Sequence, residues 1–178
     1  GELQLSAMAG VSQGSNFGRL NTSNWGLNWT PFGPVQLNAS VNVAQTAPAV
    51  TQLVAPVQAT PNTPFFDYVI GRRTLVTTLL GGNPDLAPER RRITTLGIAV
   101  QPIKDKDIRF GLDYLDTRID NQAASLGGAT PAFQRIFPDL FVRNAQGALT
   151  SVDLRPVNLA FERERKLRLT LTFSGPLG

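Results

Sequence analysis

The sequence contains no cysteine and no histidine. The first absence removes disulfide staples, thiolate zinc sites and thiol nucleophiles. The second removes the commonest metal ligand and the usual neutral-pH base. Redox compartment is left open, since cysteine-free chains occur on both sides of a membrane. Nowhere do about 18 apolar residues follow one another, so a transmembrane helix is not expected. Residues 2–9 also lack the basic segment and apolar run of a signal peptide. Charge is sparse: 17 basic residues against 13 acidic leave a net +4, enough for weak attraction to anionic surfaces and no more. The arginine clusters are too few, and too poorly interleaved with stacking residues, for nucleic-acid binding. Gly81-Gly82-Asn83 lacks the lysine and hydroxyl of a phosphate loop. Asp105, Asp107, Asp113, Asp116 and Asp120 lack calcium-loop spacing. A pair such as Asp116 and Asp120 has the chemistry to flank a sugar, but nothing points to a raised acid pKa or a cleft. A carbohydrate-active enzyme is therefore the least favoured reading, and neither enzyme activity nor a cofactor or metal is expected.

What the chain does have is alternation. In residues 107–114, Ile108, Phe110, Leu112 and Tyr114 point one way and Asp107, Arg109, Gly111 and Asp113 the other. Residues 94–100 divide Leu96, Ile98 and Val100 from Thr95, Gly97 and Ala99. Between the two segments Pro102, Ile103, Lys104, Asp105 and Lys106 form a tight polar turn. Similar segments recur. Leu3, Leu5, Ala7 and Ala9 alternate with Gln4, Ser6 and Met8, and Trp25, Leu27 and Trp29 with Gly26, Asn28 and Thr30. Val35, Leu37, Ala39, Val41 and Val43 oppose Gln36, Asn38, Ser40 and Asn42. The clearest strand sets Leu167, Leu169, Leu171 and Phe173 against Lys166, Arg168, Thr170 and Thr172, with a start as early as Ala160.

The connections differ greatly in length. Residues 10–23, rich in Gly, Ser and Asn, read as a loop, and Pro31, Phe32, Gly33 and Pro34 as a turn. Residues 46–92 lose the alternation; prolines 48, 56, 61 and 64 punctuate them, and residues 75–80 suit a short strand or helix. Residues 117–156 form a second excursion. It contains Gly127 and Gly128, a short helix at 131–136, a turn at 144–147 and a local strand at 149–154 that Pro156 interrupts. A further turn spans residues 174–178. Loops this long are uncommon in compact domains and usually carry function. The links run long, short, long, short, long. Because antiparallel neighbours send alternate links to opposite ends, this is the asymmetry of outer-membrane barrels, with brief inner turns and long outer loops. Lipid accounts for the apolar face, and inter-strand bonding for the backbone. The expectation is an all-β fold, an antiparallel transmembrane β-barrel segment. The alternative is a soluble or surface-exposed β-rich binding or structural domain whose apolar faces meet in a core.

The segment Gly82-Asn83-Pro84-Asp85-Leu86-Ala87-Pro88-Glu89 precedes a strand ending in Gln101-Pro102, then Leu112-Asp113-Tyr114 and Ile119-Asp120-Asn121. This order resembles the later barrel region of TonB-dependent outer-membrane receptors. Trp29-Thr30-Pro31 and Gln45-Thr46-Ala47-Pro48 look like the family's preceding hairpin and its entry into a long external loop. The likeness is fullest over residues 24–121; Phe137-Pro138, Arg143, Gly147 and Asn158 are compatible with a receptor subgroup. The resemblance implies a 22-stranded barrel, the size of plugged outer-membrane transporters, in the outer membrane of a Gram-negative bacterium. It further implies an N-terminal plug, a TonB-type energy-transducing complex as partner, and import of a small scarce ligand such as a metal chelate, corrinoid or carbohydrate. The chain has no recognisable plug or TonB-contact segment, and reads as a later barrel segment, a fragment or one piece of a split receptor.

Four groups of residues follow as candidates. Phe65, Phe66, Asp67, Tyr68, Arg72 and Arg73 join rings to charges as a ligand-contact patch, or else pack their loop. Arg109, Asp113, Lys166 and Arg168 point away from the apolar face, toward a lumen or plug, or into an internal salt-bridge network. Trp25, Trp29 and Tyr114 suit an interfacial belt, and Arg90, Arg91 and Arg92 suit lipid headgroups or lipopolysaccharide phosphates at the rim. Asn83, Pro84, Asp85, Leu86, Pro88 and Glu89 suit a loop return in which Asp85 or Glu89 accepts local backbone bonds.

Overall fold

The computed structural model describes residues 1–14, 18–103, 107–125 and 130–174. Along the chain lie β1 (Glu2–Gly14), β2 (Gly18–Phe32), β3 (Val35–Thr46), α1 (Val50–Val54), β4 (Gln58–Asp67), β5 (Arg72–Leu80), β6 (Glu89–Val100), β7 (Asp107–Ala124), α2 (Pro131–Ile136), a 3-10 turn (Pro138–Leu140), β8 (Phe141–Arg143), β9 (Leu149–Asp153) and β10 (Val157–Ser174). They fall into two compact units: Gly1–Ala47, Pro88–Gln122 and Ala160–Gly178 form the first, and Pro48–Ala87 with Ala123–Leu159 the second.

The first unit is a six-stranded sheet in the order β1-β2-β3-β6-β7-β10. The first four pairs are antiparallel, and so is the last, since Gly111 lies against Thr170 while Arg118 covers Phe161. Register turns the alternation of each strand into continuous rows. Leu3, Trp29, Leu37, Ile98 and Leu112 make one row, and Leu5, Leu27, Ala39, Leu96 and Tyr114 the next. A one-residue slip anywhere would break both rows, so the two-residue period specifies the register as well as the faces. The opposite face carries Gln4, Asn28, Asn38, Gly97 and Asp113 in line. Gly97 leaves room there for the Asn38 and Asp113 side chains, whose oxygens would have to shift to admit a Cβ. Pro31 has no N–H for the ladder and coincides with the register shift between Trp29 and Phe32.

Two expectations need correction here. Residues 10–14 and 18–23 are strand rather than loop, paired from Gly10↔Thr22 to Gly14↔Gly18, with the Thr22 hydroxyl donating to the Gly10 carbonyl at 3.2 Å. Backbone pairing overrides the turn-prone composition, because Gly, Ser and Asn pay only a modest strand cost when a full ladder is available. The links therefore run short, short, long, short, long. The last strand also begins at Val157, before Ala160. Ser174, expected to open a turn, ends β10; Lys104, Asp105 and Lys106 of the expected turn, Gly127, Gly128 and residues 175–178 lie outside the described residues.

The second unit shows that the two excursions are folded. Its sheet runs β4-β5-β9-β8, with β5 and β9 parallel and the other pairs antiparallel. Among the described residues the fold is thus mostly antiparallel β, with one parallel pair, two short α-helices and the 3-10 turn. Residues 75–80 are strand, inside β5, and α2 occupies the residues expected of it. Thr130 caps α2 by accepting the Phe133 N–H, and Pro131 opens it. Val76, Phe141, Leu149 and Val152 form the core, with Phe65, Leu140 and Leu154 packed against them. Prolines 61 and 64 are tolerated because β4 is an edge strand with a register shift between Thr60 and Thr63.

Candidate functional site

The loop unit is organised at the β4–β5 hairpin tip. Asp67 is wholly buried, and Arg143 from the end of β8 grips it with a two-pronged bond at 2.7 and 2.8 Å. Asp67 also accepts the Val69 N–H at 3.0 Å, while its carbonyl accepts the Gly71 N–H at 2.8 Å. Gly71 has φ +68°, a backbone conformation that favours glycine and closes the hairpin. The remaining Arg143 bond goes to the Gly147 carbonyl at 3.1 Å, which ties the β8–β9 turn to the same point. Arg143 holds the Asp67 carboxyl below the usual carboxylate range against the opposing effect of burial, and Asp67 in turn raises the guanidinium. A second pair, Arg155 with Asp153 at 2.6 Å, follows β9. There burial opposes ionisation, yet the Arg155 bonds leave Asp153 lowered.

Around this lock the ligand-contact group divides. Phe65 packs into the core with its ring 6.2 Å from Phe141, and Asp67 serves as the internal anchor. Phe66 and Tyr68 stay at the surface, edge to face at 4.8 Å, beside exposed Val69 and Ile70. Arg72 and Arg73 are exposed on the returning strand, with Arg73 directly across from Phe66. The tip thus presents two surface rings with Arg73 across the hairpin from Phe66 and Arg72 across from Asp67, groups suited to an anionic, partly aromatic solute. Gln134 of α2 reaches the Phe66 carbonyl with its amide nitrogen at 3.4 Å.

The loop return is built differently from the expectation. Asn83, and neither Asp85 nor Glu89, is the acceptor: its side-chain oxygen takes the Asp85 N–H at 3.0 Å while its amide donates to the Pro156 carbonyl at 2.9 Å. Asn158 then bridges Ala87 through both backbone groups, at 2.8 and 3.1 Å. Leu86 is buried, Asp85 and Pro84 are exposed, Pro88 leads into β6, and Glu89 pairs with Arg91 at 3.3 Å. An amide suits the position because it donates to one carbonyl while accepting an N–H, which an ionised carboxylate cannot do.

On the sheet, Arg109, Asp113, Lys166 and Arg168 lie on the polar face. Lys166 pairs with Glu164 at 2.9 Å, and Arg109 borders a recess with Gly33, Pro34, Gln36 and Gln101. No ion pair links Arg109 to Asp113 among the described residues. Trp25, Trp29 and Tyr114 share the apolar face, the tryptophans well exposed. The three consecutive arginines split: Arg90 and Arg92 stand on the apolar side and Arg91 on the polar side with Glu89. Arg143 and Asn158 are the functional-unit residues to which sequence reasoning assigned no role. Their partners lie 76 and 71 residues away, a distance across which sequence carries no pairing signal.

A sheet with one apolar and one polar face, interrupted twice by folded excursions that leave it at the same end, is the pattern of an outer-membrane barrel wall with elaborated loops. The model of the TonB dependent receptor-like, beta-barrel family matches residues 4–153, and the chain belongs to that family. It is accordingly an outer-membrane protein of Gram-negative type, in a family of transporters rather than enzymes. Among solved structures, the siderophore receptor PirA from Acinetobacter baumannii superposes with TM-score 0.66 at 21% identity, over 96% of this chain and 23% of that one. PirA from Pseudomonas aeruginosa gives 0.62 at 17%, over 95% and 28%. A variant of the Pseudomonas aeruginosa ferric enterobactin receptor PfeA, in complex with enterobactin, gives 0.69 at 18%, over 99% and 23%. At these identities the likeness concerns the fold, and the chain spans about a quarter of each receptor's length. No curated protein sequence matches the chain.

Proposed function

We propose that this chain is the barrel portion of an energy-coupled receptor that binds and imports a scarce substrate, with a ferric siderophore as the leading class. The observation that carries the reading is the sheet itself: Leu5 and Leu169, among the apolar residues lining one face, are 72% and 78% exposed. A soluble domain would cover such a face; lipid accepts it. In this reading the sheet is completed to a 22-stranded barrel by the remainder of the receptor, which supplies the plug and the segment that meets a TonB-type complex. Arg109, Asp113, Lys166 and Arg168 face the plug or lumen, and Trp25 and Trp29 sit at the interfacial belt. Phe66, Tyr68, Arg72 and Arg73 meet the ligand, with Asp67 and Phe65 holding the tip. The solved structures above support the substrate class, because they are siderophore receptors and ferric siderophores unite anionic charge with, in many cases, aromatic rings. The test is uptake of a panel of radiolabelled ferric siderophores by cells with and without the gene. Accumulation that needs the gene and stops when a protonophore collapses the inner-membrane gradient supports the proposal. Accumulation of a corrinoid or oligosaccharide instead replaces the substrate class, and gradient-independent entry overturns the energy coupling.

A further inference from the structure

We infer that the outward face of the loop sheet is a subsite for an apolar chain carried on the imported anionic chelate. The inference rests on the import reading above and narrows its substrate class to amphiphilic ferric siderophores. Register carries it. In β4, Phe65 and Asp67 turn to the core, which sends Phe66 between them outward. In β5, Val76 and Thr78 are buried, so Arg73, Leu75 and Thr77 take the outer side. Thr77 lies beside Ser151 of β9 and Ser151 beside Val142 of β8, while Val152 and Phe141 of those two strands are buried. The sheet thus has its core on one side and Phe66, Arg73, Leu75, Thr77, Ser151 and Val142 on the other.

A single exposed hydrophobic residue needs no explanation, but this face concentrates several. Leu75 is 62% exposed, Val142 54% and Phe66 40%. Threonine would serve either aliphatic position as well in a strand, and Thr77 and Ser151 show that the same face accepts hydroxyls. The charge is one-sided. Arg73 stands across from Phe66 and has no carboxylate partner among the described residues, whereas Asp153, on the same face beside Leu79, is held by Arg155 at 2.6 Å. The available charge is therefore a guanidinium near the tip, with aliphatic surface behind it. Size selects the occupant. From β4 across β5 and β9 to β8 is about 14 Å, and residues 73–77 run about 13 Å. That is roughly 180 Å², far below the ~800 Å² that each partner gives to a stable protein interface. The area and the charge fit a small amphiphile whose anionic chelate meets Arg73 and Phe66 and whose chain crosses Leu75 toward Val142.

The test uses intact cells making the full-length receptor, with two probes that share one radiolabelled, anionic ferric tris-catecholate head. One carries an octanoyl chain and the other an acetyl group. Binding is read on cells de-energised with a protonophore, after subtraction of cells without the gene. The octanoyl probe is expected to bind about tenfold more tightly than the acetyl probe. Leu75→Thr/Val142→Thr should abolish that preference and leave acetyl-probe affinity unchanged. Arg73→Gln should weaken both probes alike, and Val54→Thr, a like loss of exposed apolar surface on α1, should alter neither. No preference in the wild type, or a preference that survives the double variant, overturns the inference. Should the double variant fail to reach the surface, Val142→Thr alone, which keeps the side-chain shape, carries the same comparison. A photo-crosslinking residue at position 75 that captures a polypeptide in place of the octanoyl probe overturns it in favour of a protein partner. Energised cells separate this subsite from the import reading. If both probes bind equally and are accumulated, only the subsite fails; if neither probe is bound or accumulated, the siderophore reading fails with it.

Discussion

Removing Arg143 and removing Asp67 are expected to have unequal consequences, and the inequality follows from their burial. The Asp67 side chain is 0% exposed and that of Arg143 is 25% exposed. Arg143→Ala leaves a carboxylate stranded without its two guanidinium bonds, a loss of about 3–5 kcal/mol for a buried pair broken from one side. Asp67→Ala also removes those bonds and the one to the Val69 N–H, but the guanidinium can swing into water, so about 1–3 kcal/mol is lost. The gap of about 2 kcal/mol corresponds to roughly 30-fold in the population of open hairpin tip. Hydrogen exchange at the Val69 and Gly71 amides, read on peptides spanning residues 65–73, measures that population. Arg143→Ala should accelerate exchange by the larger factor, Asp67→Ala by the smaller, and the double variant should fall below Arg143→Ala. Equal or reversed effects would refute the assignment of Asp67 as a buried, ionised anchor. The pH dependence has a definite sign. Because Asp67 titrates lower folded than its ordinary value near 3.9, its contribution is complete above about pH 4 and fades as pH drops through the folded value. Acid should therefore loosen the wild-type tip and leave that of Asp67→Ala unaffected by this group.

Two further substitutions probe the loop return and the membrane register is open to direct labelling. At Gly82 a Cβ would stand 2.7 Å from the Leu53 carbonyl and the Ala55 nitrogen, so Gly82→Ala should displace α1 and cost about 1–3 kcal/mol, seen as new proteolysis at residues 50–55. Asn158→Ala removes both bonds to Ala87 and should speed hydrogen exchange over residues 83–88 by about tenfold, whereas Asp85→Ala, which keeps the N–H that Asn83 accepts, should not. Spin labels at Leu169 and Thr170 should show opposite lipid and water accessibility in the membrane-embedded receptor; equal exposure would reject the register.

Everything with a period of two was legible in the sequence. Leu96, Ile98 and Val100, or Leu167 through Phe173, announce their faces because strand geometry sends successive side chains to opposite sides. The same rule placed Arg109, Asp113, Lys166 and Arg168 on the polar face before any register was known. α2 was legible through its proline start, and the turn at 144–147 through Asn and Gly. Two kinds of information were not. Local composition misled at residues 10–23, where Gly, Ser and Asn suggested a loop: whether such residues extend depends on a partner strand, and no residue within the segment encodes that partner. Long-range polar pairing was also invisible. Asp67 sat in a cluster of aromatics and charges that looked like surface, and only folding brought Arg143 to it; the choice of Asn83 over Asp85 as acceptor likewise depended on Pro156 and Asn158 arriving nearby. By itself, then, the sequence determined the central runs of the six long strands and which side of each is apolar, because these follow from single residues repeating along one chain. Tertiary structure decided that the excursions fold around a buried ion pair and that Arg90 and Arg92 share a face with the leucines while Arg91 does not share it. Those outcomes depend on neighbours supplied from elsewhere in the chain and on the register at which strands meet.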